Sequence, residues 1–339
     1  MKLIPTEEAV GHILCHDLTQ IIRGEFKGPR FRKGHVVTKE DIPVLLSMGK
    51  ERLYVWEVTP DMIHEDDAAK RLAALCGHKN MKWSEPKEGK IEIKAACDGF
   101  FRVASQRLIQ VNSSPEAMIA TRKGNTAVRA GQKLAGTRII PLAIKEELLK
   151  NIEAAAGTSP LLEVLPFVKK TAVIIATGNE VLKGRIKDTF SPVVKEKLEA
   201  YGIRTLSVLY SGDGADNVAA YIKKAKELNP DIVICTGGMS VDPDDTTPAG
   251  IRKSGAEIIT YGAPVLPGAM FLLAYAKDGT PILGLPGCVM FANATIFDLV
   301  LPYIAADVPM TKTDFAAMGE GGLCLGCPVC HYPICPFGK

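Results

Sequence analysis

The sequence has no long apolar run free of charge, and nowhere does one reach the roughly 18 residues that a membrane-spanning helix needs. Its first eight residues lack the continuous apolar core of a signal peptide. Neither sign of charge dominates, because 41 basic and 38 acidic residues leave a net charge of +3. We therefore expect no membrane and no nucleic acid among the partners, and a cytoplasmic location.

The rest of the composition is typical of a folded protein with a sizeable interior. The chain has 339 residues, of which 47% are hydrophobic, enough for two or three domains with buried cores. Five of its nine cysteines are scattered along the chain and are typical of reduced thiols. One of them, Cys235, falls within an apolar run, where we expect a small buried hydrophobic side chain.

The residue pattern divides the chain into four parts. Residues 1–58 combine short β-like segments with one predicted helix, from Thr38 to Met48, and predict a small β-rich module. Residues 59–166 predict an α+β module without a catalytic motif. Residues 169–307 alternate strands and helices, and residues 308–339 form a cysteine-rich tail.

The third part has the periodicity of an α/β domain. Helical patterns separate its apolar segments, which favours parallel pairing through right-handed crossovers. We therefore predict an α/β fold with a mostly parallel sheet. The predicted strands are residues 171–176, 203–210, 231–235, 256–260 and 281–285.

Helix signals lie between these strands. Ser191 and Pro192 form an N-cap and first-turn pair that begins a predicted helix ending at Gly202. The last predicted helix of this part runs from Met290 to Ile304.

A Gly-Gly turn followed by acids stands directly after the predicted strand 231–235. The segment is Thr236-Gly237-Gly238-Met239-Ser240, and three aspartates follow within the next five residues. Parallel strands end at one edge of a sheet, so the loops after strands 171–176 and 281–285 should meet the turn there. Glycines let backbone N–H groups approach a phosphate, and carboxylates hold Mg²⁺. The sequence of these loops therefore predicts a site for a phosphorylated ligand with a divalent metal at this edge of the sheet.

Four blocks in this part resemble, in order and spacing, the molybdopterin-binding domain. They are Thr177-Gly178-Asn179-Glu180, Gly184-x-Ile186-x-Asp188-Thr189, Thr236-Gly237-Gly238-x-Ser240 with Asp245-x-Thr247-Pro248, and Gly284-Leu285-Pro286-Gly287. Molybdopterin adenylyltransferases, molybdopterin molybdenumtransferases and the competence-damage-inducible proteins share this domain. The resemblance covers residues 171–305 and implies a three-layer α/β/α fold that binds molybdopterin or its adenylated form.

The resemblance also implies roles for single residues. Gly237, Gly238 and Ser240 would cradle a phosphate group of the cofactor. Asp245 would be the acid tied to Mg²⁺ and to catalysis, and Asp188 would be a second catalytic acid. The other implied cofactor-binding residues are Thr177, Gly178, Asn179, Glu180, Thr236, Thr247, Pro286 and Gly287.

The chain departs from the family pattern at several positions. Phe190 replaces an asparagine, and Leu266-Pro267-Gly268-Ala269 replaces Lys-Pro-Gly-Lys, so two cations that could hold molybdate or phosphate are missing. Cys288 also replaces an asparagine, and its thiol either touches a dithiolene or metal or is a buried inert cysteine. Asp242 and Asp244 have weaker claims to a metal, and we expect each in a turn or facing solvent.

The tail carries four cysteines, spaced Cys324-x2-Cys327-x2-Cys330-x4-Cys335 and followed by proline. Thiolates favour zinc, copper(I) or iron–sulfur clusters, and the run is close to the bacterial ferredoxin pattern except for its longer last spacer. Tetrahedral zinc would require the short spacers to fold around it with strain. The pattern predicts a metal site for zinc or an iron–sulfur cluster, with redox or disulfide chemistry and a disordered tail as the alternatives.

The resemblance implies an enzyme of molybdenum cofactor biosynthesis that inserts molybdate into adenylated molybdopterin with Mg²⁺ and releases AMP. Adenylyl transfer from ATP to molybdopterin is the alternative, which the long N-terminal region disfavours. A non-catalytic molybdopterin-binding or regulatory protein is a third possibility, and a pyrophosphatase is a weaker fourth. The family also implies a homodimer, and the tail suggests a protein partner in molybdoenzyme maturation.

Overall fold

The computed structural model describes residues 2–55, 61–240, 242 and 245–339. The chain divides into two compact units: unit 1 comprises residues 1–97, 101–124 and 129–164, and unit 2 comprises residues 98–100, 125–128 and 165–339. The predicted module boundary at residue 58 and the predicted strand residue Trp56 lie outside the described residues. Within the described ranges, no helix has the length and apolar character needed to cross a membrane.

Short strands and four helices make up the chain up to residue 166. The strands are β1 (Lys2–Pro5), β2 (Leu18–Ile22), β3 (Phe26–Phe31), β4 (Arg52–Val55), β5 (Met62–His64), β6 (Met81–Trp83), β7 (Lys90–Ala95), β8 (Gly99–Val103), β9 (Ala117–Thr121), β10 (Thr126–Val128), β11 (Lys133–Ile139), β12 (Ala143–Lys145) and β13 (Leu162–Pro166). The helices are α1 (Asp41–Ser47), α2 (Glu65–Ala74), α3 (Ser105–Asn112) and α4 (Glu146–Ala156), and a 3₁₀ turn spans Thr6–Glu8. The largest sheet of unit 1 is antiparallel, in the order β6-β7-β11-β9.

Helix α1 is shorter than the predicted helix. The Asp41 carboxylate accepts hydrogen bonds from the N–H and the hydroxyl of Thr38, at 2.8 and 2.9 Å. These bonds form a turn before the first helical residue, so the helix begins at Asp41 and not near Thr38. Gly49, with a φ of +73°, follows the C-cap residue Met48 and ends the helix.

Unit 2 contains the predicted α/β fold. Its strands are β14 (Thr171–Thr177), β15 (Arg204–Ser211), β16 (Ile232–Thr236), β17 (Glu257–Tyr261), β18 (Leu272–Tyr275) and β19 (Pro281–Leu285), in the sheet order β15-β14-β16-β19-β18-β17. Its helices are α5 (Asn179–Leu182), α6 (Phe190–Glu199), α7 (Ala215–Glu227), α8 (Thr247–Lys253), α9 (Ile296–Ala305) and α10 (Lys312–Ala317). Four strands pair in parallel and β18 runs antiparallel to both neighbours, which confirms the mostly parallel sheet.

The sheet of unit 2 is covered on both faces. Ile174 of β14 points into a core shared with α6 and α9, whereas its neighbours Val173 and Ile175 point into a second core shared with α7 and α8. Burial on both faces explains why the strands are continuous apolar runs and do not alternate. Cys235 of β16 is fully buried in the second core, as predicted, and burial raises its thiol pKa to about 12.

Two helix starts in unit 2 differ from the prediction. Helix α6 begins at Phe190, because Asp188 and not Ser191 accepts the N–H bonds at its first turn. Helix α9 begins at Ile296, where Thr295 and Asp298 form a capping box, and Met290, the predicted first residue, instead ends a 3₁₀ turn over Gly287–Met290.

Candidate functional site

A cavity of about 560 Å³ lies in unit 2 where β14 and β16 end. The loops after these two strands supply most of its wall, and the segment from Ile186 to Phe190 supplies another part. Nine of the predicted site residues line it: Thr177, Gly178, Asn179, Glu180, Asp188, Thr236, Gly237, Gly238 and Asp245. The first two of the three predicted loops therefore meet at this edge of the sheet.

The Gly-Gly turn is fixed from behind by threonine hydroxyls. Thr247 donates its hydroxyl to the Gly237 carbonyl at 2.9 Å and its N–H to the Gly238 carbonyl at 3.1 Å. The Thr177 hydroxyl donates to the Thr236 carbonyl at 2.9 Å and lies 3.2 Å from the Thr247 hydroxyl. All three threonine side chains are buried, so the turn has a rigid support.

The two glycines are required by space as well as by backbone angle. Gly237 and Gly238 have φ values of +87° and +58°. A Cβ on Gly237 would lie 2.6 Å from the Thr177 carbonyl oxygen, and one on Gly238 would lie 2.7 Å from the Thr247 hydroxyl oxygen. The Gly237 N–H lies at the end of β16, where the pairing of Thr236 with Leu285 of β19 directs it to the sheet. The Gly238 N–H takes part in none of the described hydrogen bonds outside helices and strands, so it remains available to an anion in the cavity.

Asp245 is held in place by the turn that carries it. Its Oδ2 accepts the N–H of Ser240 at 2.9 Å, and its own N–H donates to the Asp242 carbonyl at 2.9 Å. In the described part of the chain, its other carboxylate oxygen has no hydrogen-bond partner. The carboxylate also lies near Tyr261, whose pKa is raised by burial and by this negative charge. Asp242 is exposed, and Asp244 lies outside the described residues.

Asp188 serves the start of helix α6. Its Oδ1 accepts the N–H groups of Phe190 at 3.0 Å and Ser191 at 2.9 Å. This is the geometry of a capping residue, so at least one carboxylate oxygen has a structural task. The side chain still lines the cavity, beside Lys187.

The remaining predicted residues lie elsewhere in unit 2. Thr247 and Ser240 support the turn from outside the cavity wall, and Pro286 and Gly287 do not line it either. Cys288 is half-buried, is absent from the wall, and has its thiol pKa raised by burial.

The sequence analysis did not assign several cavity residues to a site, among them Asp213, Met290 and Lys187. Asp213, on the loop after β15, accepts the N–H of Asn179 at 3.2 Å. Met290 is the only contribution of the third predicted loop to the described wall, and Lys187 is its only described cation. The Ser-Gly-Asp-Gly segment after a strand was a usable signal for Asp213.

The charge of the cavity constrains what it can hold. Glu180, Asp188, Asp213 and Asp245 line it against the single Lys187. A phosphorylated ligand would meet this negative field unless a cation lay between. Among the described residues, no three His, Cys, Asp or Glu side chains are close enough to form a ready metal site. Mg²⁺ suits such a wall, because it commonly takes one or two carboxylates and completes its shell with water and phosphate oxygens.

Two family models match the chain. Residues 173–306 match a family described as "Probable molybdopterin binding domain", and residues 3–57 match a domain of unknown function, DUF8806. The first match contains every residue of the cavity wall.

Curated relatives resemble the same stretch. A molybdopterin molybdenumtransferase of Staphylococcus epidermidis is 31% identical over 126 residues, which is 35% of this chain and 30% of that protein. A CinA-like protein of Desulfosudis oleivorans is 37% identical over 83 residues, 24% of this chain and 20% of that protein. The chain thus spans well under half the length of these relatives. A solved molybdopterin biosynthesis protein of Pyrococcus horikosii covers 91% of the chain, and the chain covers 75% of it, at 16% identity and a TM-score of 0.35.

Proposed function

Because residues 173–306 belong to the molybdopterin-binding domain family, we propose that the protein takes part in molybdenum cofactor biosynthesis and inserts molybdate into adenylated molybdopterin, releasing AMP. The observation that carries the proposal is the Gly237-Gly238 turn on the cavity wall, where the Gly238 N–H has no partner among the described hydrogen bonds outside helices and strands. Donors of this kind beside a carboxylate suit a pyrophosphate group.

Each part of the wall has a task in this reaction. The N–H of Gly238 holds a phosphate oxygen, and the buried threonines keep the turn from shifting. Asp245 is fixed by the Ser240 N–H and orients the cation. This cation is needed because the wall is acidic and would otherwise repel the phosphate groups. Mg²⁺, when bound, polarises the pyrophosphate and offsets the negative charge that develops as AMP leaves.

One observation favours adenylyl transfer from ATP, or binding without turnover, as the second candidate. The segment Leu266–Ala269, which resembles the family's Lys-Pro-Gly-Lys, carries no cation and does not line the described cavity wall. Lys187 is then the single described cation available to molybdate. An enzyme that does not bind molybdate would tolerate the loss of the two lysines of the Lys-Pro-Gly-Lys segment.

The test is AMP release from adenylated molybdopterin by the purified full-length chain with Mg²⁺, with and without molybdate. Release that depends on molybdate supports insertion. Consumption of ATP with free molybdopterin, and no effect of molybdate, identifies the adenylyltransferase. Tight binding of either pterin without release identifies a binding protein and rejects both enzymes.

Asp245→Asn should lower the rate of AMP release by about 100-fold, the size typical of a lost electrostatic contact to the reacting centre. The amide oxygen can still accept the Ser240 N–H, so the turn and molybdopterin binding should persist. Asp242→Asn is the matched control, because that exposed side chain lies three residues away and does not line the cavity. Equal rates in the two variants would remove Asp245 from the mechanism.

The proposal also covers assembly and the tail. On the family resemblance alone we propose a homodimer, which light scattering of the purified chain would test. We propose that the four tail cysteines hold zinc or an iron–sulfur cluster, and that this end of the chain meets a protein partner in molybdoenzyme maturation.

A further inference from the structure

A tyrosine at the far edge of the sheet of unit 2 reaches the segment that carries Asp245. Tyr261 is the last residue of β17, which β19 and β18 separate from β16 in the sheet order. Its hydroxyl donates to the Met239 carbonyl oxygen at 3.1 Å and lies 3.4 Å from the Ser240 carbonyl oxygen. The segment after β16 therefore extends over the ends of β19 and β18 before it returns to the cavity with Asp245.

The side chain of Met239 anchors this segment to the sheet. It is buried in the core that the sheet shares with α7 and α8. A Cβ on Gly284 of β19 would lie 2.6 Å from the Met239 sulfur and 3.2 Å from the Leu272 side chain, so the sulfur fills the space that this glycine leaves open. Met239 is thus fixed twice, its side chain by the core and its carbonyl by Tyr261.

One peptide group connects Tyr261 with Asp245. The Met239 carbonyl and the Ser240 N–H belong to the same planar trans peptide, so they point in opposite directions. Tyr261 donates to that carbonyl, and that N–H donates to Oδ2 of Asp245 at 2.9 Å. A hydrogen bond to the carbonyl oxygen fixes the direction of the N–H and polarises it, so the N–H becomes a stronger donor. The two hydrogen bonds therefore act in series on the carboxylate.

Tyr261 stays a hydrogen-bond donor at neutral pH. Burial, together with the nearby charge of Asp245, raises the pKa of its hydroxyl above the ordinary value. A neutral phenol has one proton to give, and the shorter of its two contacts directs this proton to the Met239 carbonyl. The direction of the first hydrogen bond in the series is therefore fixed.

We propose that Tyr261 is the positioning residue of Asp245 and acts on it through the Met239–Ser240 peptide. The hydroxyl holds the peptide so that Oδ2 of the carboxylate stays on the Ser240 N–H and the other oxygen stays free. How Asp245 is held follows from these contacts alone, whereas its task toward Mg²⁺ rests on the proposed function. Without the hydroxyl, the carboxylate samples several orientations and meets the cation less often in the productive one.

Hydrogen exchange of the Ser240 amide in the full-length chain tests the contact independently of the reaction. Tyr261→Phe keeps the ring and removes only the hydroxyl, so exchange at Ser240 should become about fivefold faster, the effect of one lost hydrogen bond of modest net worth. Tyr210→Phe is the matched control. Tyr210 of β15 is equally exposed, at 41%, and its hydroxyl has no partner among the hydrogen bonds of the described residues. Exchange at Ser240 should be unchanged in this control.

Two further measurements separate the series of hydrogen bonds from a loss of fold. In Asp245→Ala the acceptor of the Ser240 N–H is gone, so adding Tyr261→Phe should change exchange at Ser240 by less than about twofold. The amide of Val233, in the buried strand β16, should exchange at the parent rate in every variant. Equal acceleration at Val233 and Ser240 would assign Tyr261 to general stability and overturn the proposal.

The kinetic readout is the Mg²⁺ dependence of AMP release. Tyr261→Phe should raise the Mg²⁺ concentration for half-maximal rate about fivefold. The KM for adenylated molybdopterin should stay unchanged, because Gly238 and the buried threonines still hold the phosphate, whereas a loosened fold would move both constants. Unchanged exchange at Ser240, or an unchanged Mg²⁺ requirement in an active enzyme, would overturn the proposal. A parent chain that releases no AMP would reject the proposed function, and the exchange rates would still decide whether Tyr261 holds Asp245.

Discussion

Alanine substitutions at two glycines of unit 2, Gly237 and Gly279, separate the cost of a strained backbone angle from the cost of a steric clash. Both have a left-handed φ, +87° and +82°, but only Gly237 has neighbours within reach of an added Cβ. Gly279→Ala should cost about 1–2 kcal/mol of unfolding free energy, the penalty of that φ alone. Gly237→Ala should cost about 1–3 kcal/mol more, because its Cβ meets the Thr177 carbonyl.

Chemical denaturation of the two variants measures both costs. Binding of molybdopterin, followed by titration, should weaken in the Gly237 variant and stay unchanged in the Gly279 variant. Equal stability losses would mean that the turn can move away from Thr177. The phosphate cradle would then be less rigid than its hydrogen bonds indicate.

At the scale of the element, Asp188 connects helix α6 with the cavity, and two substitutions separate these roles. Asp188→Ala removes the acceptor of two first-turn N–H groups and should cost about 1 kcal/mol of stability. Asp188→Asn keeps a good capping oxygen and removes only the charge. If the acid takes part in catalysis, the asparagine variant should keep its stability and lose AMP release. Full activity in the asparagine variant would assign Asp188 to capping alone.

Five of the six strands in the sheet β15-β14-β16-β19-β18-β17 were predicted from sequence, because apolar residues dominate them and turn residues stand near their ends. Helix α9 was placed too early, because apolar residues continue through the 3₁₀ turn and only the capping box of Thr295 and Asp298 marks its true start. Strand β18 was missed, because it has only four residues and the apolar residues before it, Ala269-Met270-Phe271, hide its start. Local pattern therefore found elements better than it found their ends.

The site was predictable where one short segment carries it and less so where distant segments meet. The Gly-Gly turn and Asp245 lie within one segment of nine residues, Gly237 to Asp245, and both line the cavity. Asp213 and Met290 reach the same wall from other loops. The Ser-Gly-Asp-Gly segment after a strand was a usable signal for Asp213, but no motif marks Met290. The backbone pairing of Leu266 with Leu323 joins the segment that replaces Lys-Pro-Gly-Lys to the cysteine-rich tail. The sequence of neither segment indicates that the two are in contact.

At the scale of the whole molecule, the two units have separate cores, and the chain offers a probe for one of them. Both tryptophans, Trp56 and Trp83, fall in the sequence range of unit 1, and unit 2 has none. Tryptophan fluorescence should therefore follow the unfolding of unit 1. We expect molybdopterin to leave this transition unchanged and to raise the unfolding temperature of unit 2, because a ligand stabilises only the fold that binds it.

Glu65 should make the stability of unit 1 depend on pH. The side chain is buried, and burial, with Asp66 beside it, raises its pKa to about 7. The folded state therefore holds a proton that the unfolded state releases near pH 4.5, so stability falls as pH rises between these values. From pH 5 to pH 8 the loss should be on the order of 2 kcal/mol. Glu65→Gln has no proton to lose, so its tryptophan-monitored unfolding should vary much less with pH, while unit 2 keeps the pH response of the parent chain. A Gln variant that is as sensitive to pH as the parent would move the titrating group elsewhere in unit 1.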